Sequence, residues 1–278
     1  STDGSVDIIR KYESKLAYWV SENDNGQAHA INKGLQRATG DIVAWLNSDD
    51  QYFPDTLQFV SDYFNQNPEV DLIYGDVQQL YSDGRTQYYS VMEFEPLDFL
   101  SRVSVHQPSV FWRRKVLGDV GLLDESLYYL MDFDLWIRFF FNFQTRKVNR
   151  MLSIFRVHQA AKTYNDPSGL YYDYRKVLSR FFYSIEDTSA IEIIRNLDLY
   201  DNPENKKYSL PKESIKESLQ GRALTQYIRN CVIQEYSFGH VRETNRLIFH
   251  KRNPLTIWSQ LFLLLKNNLG VRYLFYKR

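Results

Sequence analysis

Gly40-Asp41-Ile42-Val43-Ala44-Trp45-Leu46-Asn47-Ser48-Asp49-Asp50 runs an apolar stretch straight into a cluster of oxygen-bearing side chains. The apolar residues 42–46, bounded by glycine and polar residues, predict a strand over 41–46 that is buried on both faces of a parallel sheet. Ligands of such sheets bind beyond the carboxyl ends of the strands. Asn47, Ser48, Asp49 and Asp50 therefore stand where a hard divalent cation, Mg²⁺ or Mn²⁺, can be held against a diphosphate, because such cations take oxygen ligands. The same residue types build ordinary turns, and a plain polar β-to-α turn is the competing reading.

Working outward, Ala28, Ile31, Leu35 and Ala38 repeat at helical spacing and close on Gly40, which predicts a helix over 27–39. A strand over 16–20 precedes it, so the order is strand, helix, strand, and the fold class is α/β. A helix over 54–67 has Pro54 at its start. A strand over 71–74 and a hairpin through Ser82-Asp83-Gly84 follow. After about residue 164 the pattern turns helical, over 171–183, 191–199, 212–236 and 239–249, with a linker or long turn at 202–207. Two regions are expected: a catalytic domain over 1–164 and a helical accessory region over 165–278.

These segments together resemble family 2 glycosyltransferases, whose nucleotide-sugar domain carries D-x-G-x-x-x-A-x-N-x-G ahead of a strand that ends in an acidic D-x-D-like motif. Here Asp24 to Gly34 and Asn47-Ser48-Asp49 occupy those places, with Asn47 where the first acid is usual. The resemblance implies a GT-A-like, Rossmann-type mixed sheet flanked by helices. It implies that Asp49 is a metal ligand, with Asp50 as a second candidate. Asn47 then meets a ribose or phosphate, and Asp24, Gln27 and Asn32 lie near the nucleotide. Taken on their own, those three residues would cap and pack the helix.

Tyr129-Leu130-Met131-Asp132-Phe133-Asp134-Leu135-Trp136-Ile137-Arg138 resembles the family's E-D-x-D-L-W-x-R segment and places Asp132 as the catalytic base. Inverting sugar transfer needs a carboxylate that takes the acceptor hydroxyl's proton. The local alternative is an N-cap on the following helix, and Asp134 with Arg138 reads as an intrahelical ion pair or anchor. Phe155-Arg156-Val157-His158-Gln159-Ala160-Ala161-Lys162-Thr163 resembles R-x-H-x-x-S-x-S/T. It makes His158 a metal ligand or phosphate donor and Lys162 a phosphate neutraliser, whereas a lone histidine after a strand is usually a hydrogen-bonded surface residue. His106-Gln107-Pro108-Ser109-Val110-Phe111-Trp112-Arg113 resembles Q-P/S-x-x-F-x-R. It offers Gln107 and Trp112 as sugar contacts and His106 as a second candidate for the base, although Val110 and Trp112 also alternate as in a half-buried strand. Ser1-Thr2-Asp3-Gly4-Ser5 resembles the end of D-D-G-S-T-D-G-S, which implies that a first β-α-β unit, with the acid that reads the nucleobase, is missing ahead of it.

Composition narrows the classes. Lys plus Arg and Asp plus Glu are 34 each, so no basic field is available for nucleic acid. The single cysteine, Cys231, gives no disulfide framework and suits a reducing cytoplasm. No apolar run reaches the ~18 residues that span a bilayer. Residues 244–278 carry no Asp or Glu, while Arg246, Lys251, Arg252, Lys266, Arg272, Lys277 and Arg278 sit among Trp258, Leu261, Phe262 and Tyr273. Such an end suits either a peripheral helix on anionic membrane at the inner face or a helix docked on the domain.

The expectation is an inverting glycosyltransferase that uses a divalent cation (Mn²⁺ or Mg²⁺) and a nucleotide-diphospho-sugar donor. Its acceptor would be a saccharide or lipid-linked saccharide in surface polysaccharide synthesis. A non-catalytic nucleotide-sugar-binding remnant and a nucleotidyltransferase are the rival readings.

Overall fold

The computed structural model describes residues 3–100, 105–159, 161–162, 166–203, 206–211, 215 and 217–249. Its centre is a mixed sheet of β1 (Ile42–Val43), β2 (Gln51–Tyr52), β3 (Leu72–Tyr81), β4 (Thr86–Tyr89), β5 (Val110–Arg113) and β6 (Thr145–Val157). The strand order is β1-β5-β3-β6-β2, with β4 paired to β3. The β3/β6 pair is parallel and the others are antiparallel. At the register shift between Tyr74 and Asp76, Gly75 lies so close to β6 that a Cβ would stand 2.5 Å from Leu152 Cδ1 and 2.8 Å from the Arg150 carbonyl oxygen. Only glycine fits that approach.

Helices cover the sheet where their apolar stripes meet it. Among the described residues they are α1 (Ser5–Lys11), α2 (Gln27–Arg37), α3 (Thr56–Gln66), α4 (Pro96–Phe99), α5 (Leu117–Val120) and α6 (Met131–Phe140), then α7 (Pro167–Ser184), α8 (Thr188–Asn196), α9 (Glu217–Ser237) and α10 (Val241–Phe249). Helix α2 buries Ala28, Asn32 and Leu35, one side of the helix at a spacing of four and three. Helix α3 buries Thr56, Val60 and Phe64, and its apolar side chains join Val70, Ile73, Phe111, Val148 and Leu152 in a core on one side of the sheet. A second core runs without a break from Leu72, Val110 and Trp112 through Leu135 and Trp136 of α6 to Phe181 of α7 and Tyr227 and Cys231 of α9. The helical C-terminal region thus shares its core with the sheet.

Two expectations need correction. The strand predicted over 41–46 shortens to β1 and pairs antiparallel with β5, not in a parallel ladder. After Val43 the chain leaves the sheet so that Trp45 can pack among Trp112 and Trp136. Residues 16–20 form no strand. Among the described residues no strand pairs with them, and an isolated strand leaves its backbone groups without a ladder. Leu16, Tyr18 and Val20 are exposed, and the stretch is held against α2 by Arg37 over the Tyr18 ring at 4.3 Å. The hairpin at Ser82-Asp83-Gly84 is present, with Gly84 at φ 84. Of the cationic tail, residues 250–278 lie outside the described residues.

Candidate active site

The sheet register builds the acidic turn. β2 runs antiparallel to β6 with Gln51 opposite Ile154, so residues just before Gln51 lie beside those just after Ile154. The Asp50 N–H donates to the Asn47 carbonyl at 3.1 Å and closes the turn. Asp49 and His158 consequently face each other, Oδ2 to Nε2 at 3.0 Å, with both side chains partly exposed. The sequence assigned each of them to a metal, and the fold brings them together.

Asp50 is built differently. It is 6% exposed, its Oδ1 accepts the Arg156 N–H at 3.1 Å and its Oδ2 accepts from Asn47 Nδ2 at 3.3 Å. Burial pushes its carboxyl above the usual range, against the backbone hydrogen bond from Arg156. Asp50 thus ties the turn to β6 and is not placed as a free cation ligand, which corrects that expectation.

Asn47 is the hub of the turn. Its Oδ1 accepts from Gln27 Nε2 at 3.2 Å, and its Nδ2 also donates to Gln107 Oε1 at 3.1 Å. Gln107 in turn donates from Nε2 to the Trp45 carbonyl at 2.5 Å. With both amide ends engaged in a buried position, Gln107 holds the turn and is not free to read a sugar. Lys162 reaches Gln27 Oε1 at 3.5 Å and donates to the Tyr128 carbonyl, and its ammonium stands 3.4 Å from the centroid of the Tyr128 ring. Gln27, Asn47 and Lys162 therefore form one connected edge of the site.

Asp132 lies in the first turn of α6, after the N-cap position of Leu130. Its Oδ1 accepts the Phe133 N–H at 2.8 Å. Burial pushes its carboxyl up to about 6, opposed by that hydrogen bond and by the Lys162 ammonium. A carboxylate with a pKa near the working pH is suited to proton transfer. Asp134, two residues on, is fully engaged. Arg138 Nη2 (2.8 Å), Arg180 Nη1 (2.6 Å) and the Tyr208 hydroxyl (2.6 Å) all donate to it. It is the anchor that the sequence offered as one option.

Three further expectations fail on packing. Trp112 is 0% exposed, edge-on to Trp45 and Trp136, and belongs to the core and not to a sugar platform. Asn32 is 3% exposed and spans from Leu123 O (3.0 Å) and Glu125 Oε1 (2.9 Å) to the Leu123 N–H (3.0 Å), so it pins α2 to the 123–125 loop. His106 sits between the Tyr89 and Phe155 rings, 4.7 and 5.4 Å away, and burial lowers its pKa to about 4. So weak a base does not compete with Asp132. Asp24, which is exposed, accepts the Gly26 N–H at 2.9 Å and shapes the turn that starts α2.

Sequence reasoning missed Tyr128, Tyr129 and Asp173, which surround the entry to α6. Asp173 Oδ2 accepts the N–H groups of Tyr129 (2.6 Å) and Leu130 (3.3 Å) from a different helix. No local pattern marks a contact made 44 residues away.

Asp49 and His158 supply an oxygen and an imidazole nitrogen, a donor set that fits Mn²⁺ or Mg²⁺ when diphosphate oxygens and waters fill the remaining positions. No cluster of three or more His, Cys, Asp or Glu side chains able to hold a metal occurs among the described residues.

With this geometry in view, residues 1–118 match the family model of Glycosyl transferase family 2. An uncharacterized glycosyltransferase of Rickettsia prowazekii, RP339, is 29% identical over 204 residues, covering 69% of this chain and 64% of that protein. A PGL/p-HBAD biosynthesis glycosyltransferase of Mycobacterium tuberculosis is 30% identical over 174 residues, covering 61% of this chain and 64% of that protein. Among solved structures, S. aureus TarS 1-349 aligns with a TM-score of 0.54 at 17% identity, over 100% of this chain and 81% of that one. TarS 1-349 in complex with UDP-GlcNAc aligns at 0.53. Residues 1–118 are thus similar to family 2 of the glycosyltransferases, and the fold of the chain is GT-A-like. The chain spans 25%, 64% and 54% of the length of three Rickettsia relatives.

Proposed function

We propose that the protein transfers a sugar, with inversion, from a nucleotide-diphospho-sugar to an acceptor hydroxyl. The observation that carries this reading is the presence of two acidic groups in different settings. Asp49 with His158 is a partly exposed pair at the end of the acidic turn, and Asp132 is a partly buried carboxyl with a raised pKa at the start of α6. The match of residues 1–118 to the model of Glycosyl transferase family 2 supports the reaction class.

In this reading Gln27, Asn47 and Lys162 line the donor, with Lys162 facing phosphate charge. Asp132 takes the proton of the acceptor hydroxyl as its oxygen attacks the anomeric carbon from the face opposite the leaving diphosphate. Burial strengthens the field of every charged group at that point. Asp49 and His158 would hold the divalent cation, which when bound supplies Lewis-acid stabilisation of the leaving diphosphate.

A saccharide or lipid-linked saccharide acceptor is supported by one relative's name, which places it in PGL/p-HBAD biosynthesis, and by the cationic, aromatic composition of residues 244–278. That composition also supports peripheral binding to anionic membrane at the cytoplasmic face. No helix among the described residues is long and apolar enough to cross a membrane. The test is to incubate the full-length protein with nucleotide-diphospho-sugars and score sugar transfer and nucleotide release separately. Transfer matched by release supports the reading. Binding without either product would leave a nucleotide-sugar-binding protein, and pyrophosphate release would indicate nucleotidyl transfer.

A further inference from the structure

The helix that carries Asp132 begins without a side-chain cap of its own. Its approach, Tyr129-Leu130, is instead gripped at three points by the first two turns of α7. Asp173, 3% exposed, takes both backbone N–H groups on one carboxylate oxygen, at 2.6 and 3.3 Å. Asp166, which also caps α7 by accepting the Gly169 N–H at 3.0 Å, accepts the Tyr129 hydroxyl on its other oxygen at 2.8 Å. Gly169 leaves room for the ring: a Cβ there would lie 2.2 Å from Tyr129 Cε2. The spacing 166, 169, 173 puts the three residues on one side of the helix, facing the loop.

The clamp also reaches the charged edge of the site. Lys162, bonded to the Tyr128 carbonyl, feels both the Asp132 and the Asp173 carboxylates. Lys176 Nζ, 3.7 Å from Asp173 Oδ1, partly balances the buried charge on the far side. A buried carboxylate is retained at such a place only if its acceptors are used, and here they fix the backbone at the third and second residues before Asp132.

We propose that Asp173 is a positioning residue for the base: through Tyr129 and Leu130 it sets where α6 starts, and thereby where the Asp132 carboxylate stands. The inference rests on the reading of Asp132 as the base. It makes the helical C-terminal region part of the catalytic apparatus and not an appendage. Displacing a reacting group by about 1 Å costs on the order of 10²-fold in rate, so small shifts at this cap are readable in turnover.

The experiment compares the full-length wild type with Asp173→Ala and Asp173→Asn, the second of which keeps an accepting oxygen. The proposal expects kcat of Asp173→Ala to fall at least about tenfold with donor KM unchanged, and Asp173→Asn to stay within about threefold of wild type. Amide hydrogen exchange should quicken in residues 127–134 of Asp173→Ala and stay unchanged in β3 and β6. Wild-type kcat in Asp173→Ala overturns the proposal, as does exchange that is unaltered at 127–134 or quickened throughout the sheet. Should Asp173→Ala fail to fold, a loss in Asp173→Asn as large as tenfold overturns it and near-wild-type kcat supports it. If the wild type transfers no sugar, the reading of Asp132 fails, and the exchange pattern still decides whether Asp173 sets the start of α6.

Discussion

Trp45 stacks on Trp136 with ring centroids 5.5 Å apart and planes 14° from parallel. Trp45 lies two residues before Asn47 and Trp136 one helical turn after Asp132, so the stack joins the segment that leads into the acidic turn to the helix that carries Asp132. Trp112 meets both rings edge-on, which closes a triad under the site. Trp136→Ala, at a position 1% exposed, is expected to cost roughly 3–5 kcal/mol of stability. A double-mutant cycle of Trp45→Ala and Trp136→Ala, read by denaturant unfolding, is expected to give a coupling of about 0.5–1.5 kcal/mol. Additive losses would mean that the stack does not link the two elements.

The raised pKa of Asp132 predicts both a rate profile and a stability profile. With Asp132 as the proposed base, transfer needs its carboxylate, so turnover should rise with pH through an acid limb near 6. For stability the sign is the reverse of the usual carboxylate case. The folded state binds this proton more tightly than the unfolded chain, so the charged form destabilises the fold at neutral pH. Asp132→Asn should therefore be more stable than wild type at pH 7, by roughly 1–3 kcal/mol. The advantage should shrink as pH falls from 6 towards 4. His106 titrates in the opposite sense: its pKa is lowered to about 4, so its contribution is present above its unfolded value of about 6.5 and is lost as pH falls towards 4. Melts of wild type alone would mix the two, so the difference between wild type and Asp132→Asn is the quantity to measure.

The Asp49–His158 pair predicts a cation requirement. Turnover by the full-length protein should be abolished by excess chelator and restored by Mn²⁺ or Mg²⁺. His158→Ala should weaken Mn²⁺ affinity in the presence of the donor by roughly tenfold or more, measured by paramagnetic resonance. Unchanged turnover in chelator would remove the cation from the account.

Asn32 predicts stability without chemistry. Asn32→Ala leaves the Leu123 N–H and carbonyl without partners in a buried place, at a cost of about 1–3 kcal/mol. Donor affinity, measured by calorimetry on the folded fraction, should be unchanged. A loss of affinity at constant stability would return Asn32 to the nucleotide.

The cationic tail is open to a separate test. Replacing Lys251, Arg252, Lys266 and Arg272 by Gln should weaken co-sedimentation with anionic vesicles by up to about 1 kcal/mol per charge. Added salt should weaken it as well, since the attraction decays within a Debye length of about 8 Å. Equal sedimentation with neutral and anionic vesicles would contradict the membrane reading.

What could be read from sequence followed from how local the governing physics is. Helix α2 was visible because Ala28 and Leu35 lie on one stripe, and the acidic turn was visible because an apolar run ended in Asn47-Ser48-Asp49. Asp132 was singled out as a candidate by the pattern around it, and its burial and raised pKa were not visible there. Residues 16–20 misled because an apolar run does not say whether a neighbouring strand exists. Trp112 and Gln107 misled because an aromatic ring or an amide can serve a sugar or the interior equally well. Only the packing of Trp45, Trp136 and Asn47 around them decides. Asp173 was out of reach altogether, since its partners are two backbone N–H groups distant in sequence.

The most direct test of the account is sugar transfer by the full-length protein beside its Asp132→Asn variant, under saturating donor and acceptor. The substitution preserves size and hydrogen bonding but cannot accept a proton at neutral pH. Donor binding is expected to survive while transfer falls by about 10²-fold or more and the acid limb near pH 6 disappears. Transfer close to wild type, with the acid limb intact, would contradict the account.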